Sequence, residues 1–295
     1  MKNELMLKGG LGNQLFQYAF AYSIQKLNNS PIIINKYFYL KAKDKRTLSL
    51  TELSIPNLRV KSWISSFICG TNYRIKRKVL FLKNRKRNDY KYFYKHRMIY
   101  NYNFGYFDVD DYISDNMVID GHFQSKKYFD NYKEEIRIMF KCNKKLNLKN
   151  LELLEKIKNE NAVCIHIRRG DFLLEKNKIF NICNKDYYFN AIKLIEEKIS
   201  NPVFYIFSNN SDDLNWIKEN YEFTKKMNFV DLHNSDVEEL TLMSNFNYFI
   251  ISNSTFSWWA QYLANSKLVI APSRWLNNNE AWTELYDDSW LLINV

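Results

Sequence analysis

The chain has 295 residues, of which 46% are hydrophobic and 17% are aromatic. It is long enough for two domains of about 150 residues each, and its apolar content argues against a disordered protein. The aromatic side chains also suit sugar binding, because the apolar faces of sugars pack on aromatic rings.

The cysteines and the apolar runs narrow the class of protein further. Four cysteines lie far apart and form no CxxC pair, so neither a zinc site nor a disulfide framework is indicated. The first residues do not resemble a signal peptide, and no run approaches the roughly 18 apolar residues of a spanning helix. We therefore expect a cytoplasmic protein.

The net charge of +11 is concentrated in one segment. Residues 74–97 carry eleven Lys or Arg and a single acid, Asp89, whereas the rest of the chain is nearly balanced. Aromatic residues interleave with this charge at Phe81, Tyr90, Tyr92, Phe93 and Tyr94. The segment is interpreted as a solvated helix face, as a docking site for anionic lipid headgroups, or as a nucleic-acid-binding site.

The first half of the chain opens with a β-loop-α-β pattern. A short apolar strand is predicted at residues 5–7, followed by a glycine-rich turn at residues 9–12. From Gln14 a helix is predicted, with Phe16, Phe20, Ile24 and Leu27 on one face. A second strand is predicted at residues 32–34, which is how an open α/β sheet begins. Residues 41–140 contain no equally regular pattern.

The second half alternates regularly after a Lys/Asn-rich stretch at residues 141–150. Strands are predicted at residues 162–167, 203–207, 229–230, 248–251 and 267–271, with a helix between each pair. This pattern predicts a parallel, doubly wound sheet. We expect two such domains facing a cleft, at residues 1–145 and 146–295, with the final residues packing back on the first domain.

One segment combines two adjacent arginines with an acid, at the predicted end of a strand. It reads His166-Ile167-Arg168-Arg169-Gly170-Asp171. Guanidinium groups bind phosphate oxygens in pairs and stabilise a leaving diphosphate without a metal. The alternative is an ordinary surface pair of arginine and aspartate.

Two further segments follow predicted strands. In Ser252-Asn253-Ser254-Thr255-Phe256-Ser257, the hydroxyl groups lie at a helix amino terminus, where an anion is favoured, although Ser and Asn are also ordinary helix caps. In Gly9-Gly10-Leu11-Gly12-Asn13-Gln14, two amides follow a strand-to-helix turn. This second segment lacks the third glycine of a dinucleotide-binding fingerprint.

Together these segments resemble the bacterial α-1,2-fucosyltransferases of glycosyltransferase family eleven. The family opening Gly-Gly-Leu-Gly-Asn-Gln-x-Phe-Gln-Tyr-Ala is matched at residues 9–19, His-x-Arg-Arg-x-Asp at residues 166–171, and Asn-Ser-x-Phe-Ser-Trp-Trp at residues 253–259. Residues 121–125, Gly-His-Phe-Gln-Ser, resemble its middle block, with His122 where Tyr is usual. The matches occur in order over almost the whole chain.

The resemblance implies the α/β GT-B fold, GDP-β-L-fucose as donor, inversion at the anomeric carbon, and no metal or other cofactor. It assigns the donor diphosphate to Arg168, supported by Arg169. Further donor contacts are implied for six residues of the other two motifs: Asn13, Gln14, Asn253, Ser254, Thr255 and Ser257.

The family's Phe-Ser-Asp-Asp block is different in this chain. It reads Phe207-Ser208-Asn209-Asn210 and is followed by Ser211-Asp212-Asp213. Whether Asp212 or Asp213 replaces the usual acids stays open.

An inverting transfer needs a base that takes the proton of the acceptor hydroxyl. The candidates are Asp171, His166, Glu175 and His122, and Asp171 is the first choice unless an arginine holds it in a structural role. Arg168 completes the predicted catalytic set.

The acceptor predicted from the resemblance is a galactose-terminated oligosaccharide, joined at O2 and carried on a lipid-linked O-antigen or capsule repeat. The enzyme would then act in the cytoplasm or on the inner face of the cytoplasmic membrane, docked through residues 74–97. Another linkage or acceptor is the nearest alternative. Three others are a metal-dependent GT-A transferase using the DxD at residues 108–110, a nucleic-acid-binding protein, and a sugar-binding module without catalysis. We expect no nucleic acid partner.

Overall fold

Strands and helices alternate along the chain in two compact units, Met1–Lys141 and Cys142–Val295. The computed structural model describes residues 1–41, 46–83, 90–101, 105–109, 113–174, 179–224, 226–264, 266–277 and 283–295. The division between the units falls four residues before the boundary expected from the sequence.

The first unit is built on a four-stranded parallel sheet. Its strands are β1 (Asn3–Met6), β2 (Ile32–Asn35), β3 (Met98–Asn101) and β4 (Val118–Gly121), in the order β2-β1-β4-β3. Helix α1 (Leu11–Asn28) connects β1 to β2. It begins three residues before the predicted start at Gln14, because Gly9, with φ +83°, completes the turn early. Phe16, Phe20 and Ile24 are buried as predicted, whereas Leu27 is exposed.

The remaining helices of the first unit are α2 (Tyr37–Lys41), α3 (Trp63–Lys83), α4 (Tyr90–Lys95) and α5 (Lys133–Met139). Helices α2, α3 and α4 share an apolar cluster with the sheet. The cluster is formed by Met6, Tyr37, Tyr73, Leu80, Phe93 and Met98. A β-carbon on Gly70 of α3 would lie 2.2 Å from the Tyr37 ring, so this helix approaches α2 too closely for any other residue.

The basic segment 74–97 comprises the end of α3 and all of α4, while residues 84–89 lie outside the described residues. The aromatic side chains described in this segment do not form one exposed surface. Phe93 and Tyr94 are buried, and Phe81 and Tyr92 pack against the apolar cluster. Most of the aromatic residues in this segment therefore belong to the core.

The second unit is built on a six-stranded parallel sheet. Its strands are β5 (Asn161–His166), β6 (Pro202–Phe207), β7 (Asn228–Phe229), β8 (Tyr248–Ile250), β9 (Leu268–Pro272) and β10 (Leu291–Ile293). Their order is β10-β9-β8-β5-β6-β7, and every neighbouring pair is parallel. The edge strand β10, which the sequence patterns did not predict, includes three of the final residues.

Five α-helices of this unit are described. Helix α6 (Leu148–Lys158) precedes β5, and the other four connect β5 to β9 strand by strand: α7 (Lys185–Lys198), α8 (Ser211–Asn220), α9 (Asp236–Met243) and α10 (Thr255–Ala264). Polar caps set where four of the five helices begin. Asn147, Asn184 and Asn210 each accept a backbone N–H in the first turn, and Ser235 forms the predicted capping box with Glu238. Among the described residues, no helix has the length and apolar character needed to cross a bilayer.

A buried carboxylate links α3 to the sheet of the first unit. Asp120 of β4 is 1% exposed and accepts hydrogen bonds from the Tyr73 hydroxyl and from Arg77 Nη1 at 3.2 Å. Lys8 Nζ lies 3.0 Å from the other carboxylate oxygen. Because burial disfavours an unpaired charge, removing one partner costs more than the bond alone contributes.

We expect Tyr73→Phe to lower the free energy of unfolding by about 2 kcal/mol, because it deletes a hydrogen bond to a buried charged group. Tyr132→Phe is the matched control: it removes a hydroxyl from a half-buried ring and should change stability by less than about 0.5 kcal/mol. Urea denaturation measures both. Equal effects of the two variants would contradict the assigned role of Asp120.

Candidate active site

The order of strands in the second unit reverses between β5 and β8. Strands β6 and β7 lie on one side of this pair, and β9 and β10 lie on the other. In open parallel sheets, ligands bind at this reversal, outside the carboxyl ends of the strands. The segments predicted to bind the donor lie at the ends of these two strands: residues 166–171 begin at the last residue of β5, and residues 252–257 begin two residues after β8.

His166, the last residue of β5, joins these two segments. Its side chain is buried, and Nδ1 lies 3.1 Å from Ser252 Oγ and 3.0 Å from Ser257 Oγ. Burial, and to a lesser extent the charge of Arg168, lowers the pKa of His166 to about 3. The imidazole is therefore neutral at physiological pH and connects the end of β5 to the first turn of α10.

Arg168 and Thr255 are partly exposed and follow the two adjacent strands. The Arg168 guanidinium lies 5.4 Å from the ring centre of Phe172. Thr255 is the first residue of α10, where backbone N–H groups and the helix dipole favour an anion. A guanidinium and a helix amino terminus at neighbouring strand ends are both suited to bind phosphate.

An acid that the sequence analysis did not single out interacts electrostatically with Arg168. Burial, reinforced by Asp236 and Asp231, raises the pKa of Glu239 to about 8, while Arg168 acts in the opposite direction. Glu239 is consequently mostly protonated at neutral pH. In that form it does not cancel the positive charge of Arg168.

Arg169 has a different environment from its neighbour. Its guanidinium carbon lies 3.2 Å from the ring centre of Trp216, and its Nε lies 3.5 Å from Asp213 Oδ1. The other oxygen of Asp213 accepts a hydrogen bond from the Gly170 N–H at 3.0 Å. The Asp213 carboxylate thus fixes two consecutive residues of the loop after β5.

Gly170 cannot be replaced without moving this loop. Its φ is +39°, which disfavours other residues, and a β-carbon would lie 1.9 Å from Asn209 Nδ2. Asn210 caps α8 by accepting the N–H of Asp213. Of the two acids left open by the sequence, Asp213 contacts the arginine loop and Asp212 is exposed.

Two residues predicted to bind the donor have side chains that already bond to backbone groups. Asn253 Nδ2 donates to the carbonyl oxygens of Phe180 and Trp275, each at 2.8 Å. Ser254 Oγ accepts the N–H of Phe256 at the start of α10. These contacts shape the segment, so both residues support the site through the backbone.

The two amide residues predicted in the first unit, Gln14 and Asn13, have different partners. Gln14 is fully buried; it donates to the carbonyls of Gly9 and Thr47 and accepts the N–H of Ser49, so it fastens the turn after β1. Asn13 is half-buried, and its Oδ1 accepts a hydrogen bond from Gln124 Nε2 at 2.8 Å. Gln124 therefore orients Asn13, a pairing between distant residues that the sequence did not reveal.

The structure describes only some of the residues predicted as the catalytic base. Asp171 lies in the short helix Gly170–Leu173, its side chain is outside the described residues, and Glu175 is outside them altogether. Burial and the nearby Lys8 lower the pKa of His122 to about 4, although Asp120 opposes this, so His122 is neutral at physiological pH. Which group acts as the base stays a prediction.

Of the DxD at residues 108–110, which the metal-dependent GT-A alternative requires, Asp110 is outside the described residues. Across the described ranges, no group of three or more His, Cys, Asp or Glu side chains is arranged to hold a metal ion.

Solved structures with this architecture are known. FUT1 from Arabidopsis thaliana, in a complex with GDP, superposes with a TM-score of 0.52 at 12% identity and covers 91% of this chain and 69% of its own. The NodZ α-1,6-fucosyltransferase soaked with GDP-fucose gives 0.50 at 13% identity, with 92% and 95% covered. The predicted fold class, α/β of the GT-B type with Rossmann-like units, is confirmed.

Several sequence relatives match most of the chain. An Escherichia coli α-1,2-colitosyltransferase is 31% identical, with 93% of this chain and 92% of the relative covered. The E. coli O-antigen biosynthesis glycosyltransferase WbnK is 30% identical, with 97% and 98% covered. Galactoside α-(1,2)-fucosyltransferase 2 from Pongo pygmaeus is 23% identical, with 88% and 68% covered.

The model of Glycosyl transferase family 11 matches residues 4–294. The family named from the motifs is therefore confirmed: this chain is a glycosyltransferase and belongs to Glycosyl transferase family 11.

Proposed function

We propose that this enzyme transfers L-fucose from GDP-β-L-fucose to O2 of a galactose in a cell-surface glycan such as an O-antigen or capsule repeat. The observation that carries the proposal is the combination of Arg168 with the amino terminus of α10 at the β5/β8 reversal, in a chain of this family. Relatives named for α-1,2 transfer support the linkage.

A second donor is favoured by one specific observation. The colitosyltransferase is 31% identical over 93% of the chain. Colitose is L-fucose without its 3-hydroxyl group, so the two donors present the same GDP to the enzyme and differ only at the sugar. The same phosphate site serves both, and the assay must offer both.

In the proposed complex, the donor diphosphate lies against Arg168 and the first turn of α10, with Thr255 beside it. The leaving GDP gains negative charge as the anomeric bond breaks, and a preorganised guanidinium with helix N–H groups stabilises that charge. Because Glu239 is largely protonated at neutral pH, this acid adds little negative charge beside the diphosphate.

The other residues of the two segments act mainly by position. His166 holds Ser252 and Ser257, Asp213 holds Arg169 and the Gly170 backbone, and Asn253 fixes the chain before α10. In the first unit, Gln14 secures the turn and Gln124 orients Asn13. We infer that Asn13 presents its amide N–H groups to a bound sugar or phosphate.

Inversion follows from direct attack. The acceptor hydroxyl attacks the anomeric carbon on the face opposite the diphosphate, so a β-linked donor gives an α-linked product. The acceptor proton passes to a base, for which Asp171 is the first candidate, and the GDP departs without a covalent enzyme intermediate. The nucleic-acid and GT-A alternatives receive no support from a family match across residues 4–294.

Transfer is tested by incubating the enzyme with GDP-fucose or GDP-colitose and a panel of galactose-terminated oligosaccharides, with the linkage determined by NMR. We expect an α-1,2 product with one of these donors. Arg168→Ala should reduce kcat/KM by about 10²-fold or more, because it removes a charge that stabilises the leaving group.

The control for this variant is Lys198→Ala, an exposed cation at the end of α7. It should leave turnover within about twofold of wild type, as expected for a surface substitution. Near-normal turnover by a folded Arg168→Ala enzyme would contradict the donor-site assignment.

Asp212 and Asp213, which are adjacent in α8, allow a matched test of whether Asp213 positions the loop that contains Arg169 and Gly170. Both lie in the first turn of the same helix, so their effects on the helix dipole are alike, but Asp213 alone of the two holds the arginine loop. We expect Asp213→Ala to weaken GDP binding by about tenfold through loss of charge-assisted contacts. Asp212→Ala should change it by less than about twofold.

Isothermal titration with GDP measures both aspartate variants, and circular dichroism checks that each is folded. If the two variants bound GDP equally well, Asp213 would have no special role in holding the loop.

A further inference from the structure

Helix α3 exposes a line of large apolar side chains on the surface of the first unit. Ile64 is 75% exposed, Ile68 54%, Ile75 59% and Leu82 72%. Their spacings of four, seven and seven residues place them on one face, because seven residues are close to two helical turns. An apolar stripe of this length on a surface helix is a mark of an interaction site.

The stripe does not belong to the core of the first unit, because the opposite face of α3 packs against that core. Gly70 and Leu80 are buried on that face. Tyr73 and Arg77 both bond to the buried Asp120, which fixes the rotation of the helix about its axis. The isoleucines are therefore held away from the core of this unit.

Basic side chains border the stripe on both sides. At about 100° per residue, Arg74 and Lys78 fall along one border, and Lys76 and Lys83 fall along the other. All four are exposed, and α3 contains no acidic residue between Trp63 and Lys83. A helix with an apolar centre and cationic borders matches the chemistry of an anionic lipid surface.

The apolar surface widens at the amino end of the helix. Leu40, Trp63, Ile64 and Phe67 line an open apolar cleft of about 370 Å³. Trp63 is more than half exposed, and Lys36 Nζ lies 3.9 Å from its ring centre. An exposed tryptophan beside a lysine suits the headgroup region of a bilayer, where amphipathic rings are stabilised.

We propose that α3 docks this enzyme on an anionic phospholipid bilayer. Ile64, Ile68, Ile75 and Leu82 enter the boundary between headgroups and acyl chains, while the flanking Lys and Arg side chains contact the lipid phosphates. A second copy of the chain is disfavoured as the occupant, because a symmetric contact would bring two identical cationic borders together. The proposal is independent of the proposed donor and acceptor.

This surface overlaps the segment expected from the sequence but extends beyond it. The sequence attributed docking to the charge of residues 74–97, and the cations that border the stripe belong to that segment. The apolar part of the surface begins eleven residues earlier, at Trp63, and was not expected from the sequence.

The test is co-sedimentation of the full chain with vesicles of phosphatidylcholine alone or phosphatidylcholine mixed with phosphatidylglycerol, without any sugar nucleotide. Wild type should bind only the mixed vesicles. The combined variant Ile64→Ser, Ile68→Ser and Ile75→Ser should lower the partition coefficient by about tenfold or more, because it removes three apolar side chains that insertion into the bilayer would bury.

The matched control substitutes three equally exposed apolar residues on other helices, Leu27→Ser, Ile138→Ser and Leu148→Ser. It should bind the mixed vesicles as wild type does. A second variant, Lys76→Gln, Lys78→Gln and Lys83→Gln, keeps the stripe and should bind the mixed vesicles less than wild type at low salt, with a smaller difference at high salt. It supports the proposal even if the serine variant fails to fold.

Three outcomes would overturn the proposal: no binding of wild type to the mixed vesicles, equal loss in the matched control, or a wild-type dimer that the serine variant converts to a monomer without any vesicle binding. Sedimentation equilibrium measures the last of these. Because no donor is present, a failure of the proposed transfer reaction would not alter the result.

Discussion

The site of the second unit depends on the direct parallel pairing of β5 with β8. These strands are separated by more than eighty residues in sequence, yet their adjacency places His166 within 3.1 Å of the hydroxyl groups of Ser252 and Ser257. A buried imidazole is tolerated only where it is neutral and hydrogen-bonded, and these contacts provide the partners. Without that pairing, the arginine loop and the amino terminus of α10 would have no common position.

The loop after β5 then gives two adjacent arginines different environments. Arg169 stacks on Trp216 and pairs with Asp213, which also holds the Gly170 backbone. The charge of Arg168 acts to lower the pKa of Glu239, but burial raises that pKa to about 8, so the acid is largely uncharged at neutral pH. One arginine thus organises the loop, while its neighbour lies beside an acid that is largely protonated at neutral pH.

The alternation of strands and helices in the second unit could be predicted from the sequence, because apolar periodicity and helix caps such as Ser235 are local signals. The positions of His166 and Ser254 at strand ends followed from the same signals. The contacts of Asp213 with Arg169 and of Gln124 with Asn13 could not be predicted, since each joins residues far apart in the chain. Periodicity also could not show which face of α3 is covered, and that decided the exposure of Ile64 and Ile75.

The central claim is that GDP binds at the β5/β8 reversal. Hydrogen–deuterium exchange with and without GDP measures this directly across the whole chain. The account predicts slower exchange in peptides covering residues 166–173 and 252–259, where the arginine loop and the first turn of α10 lie, with α6 at Leu148–Lys158 unchanged. Protection by GDP that spared both of those peptides would contradict it.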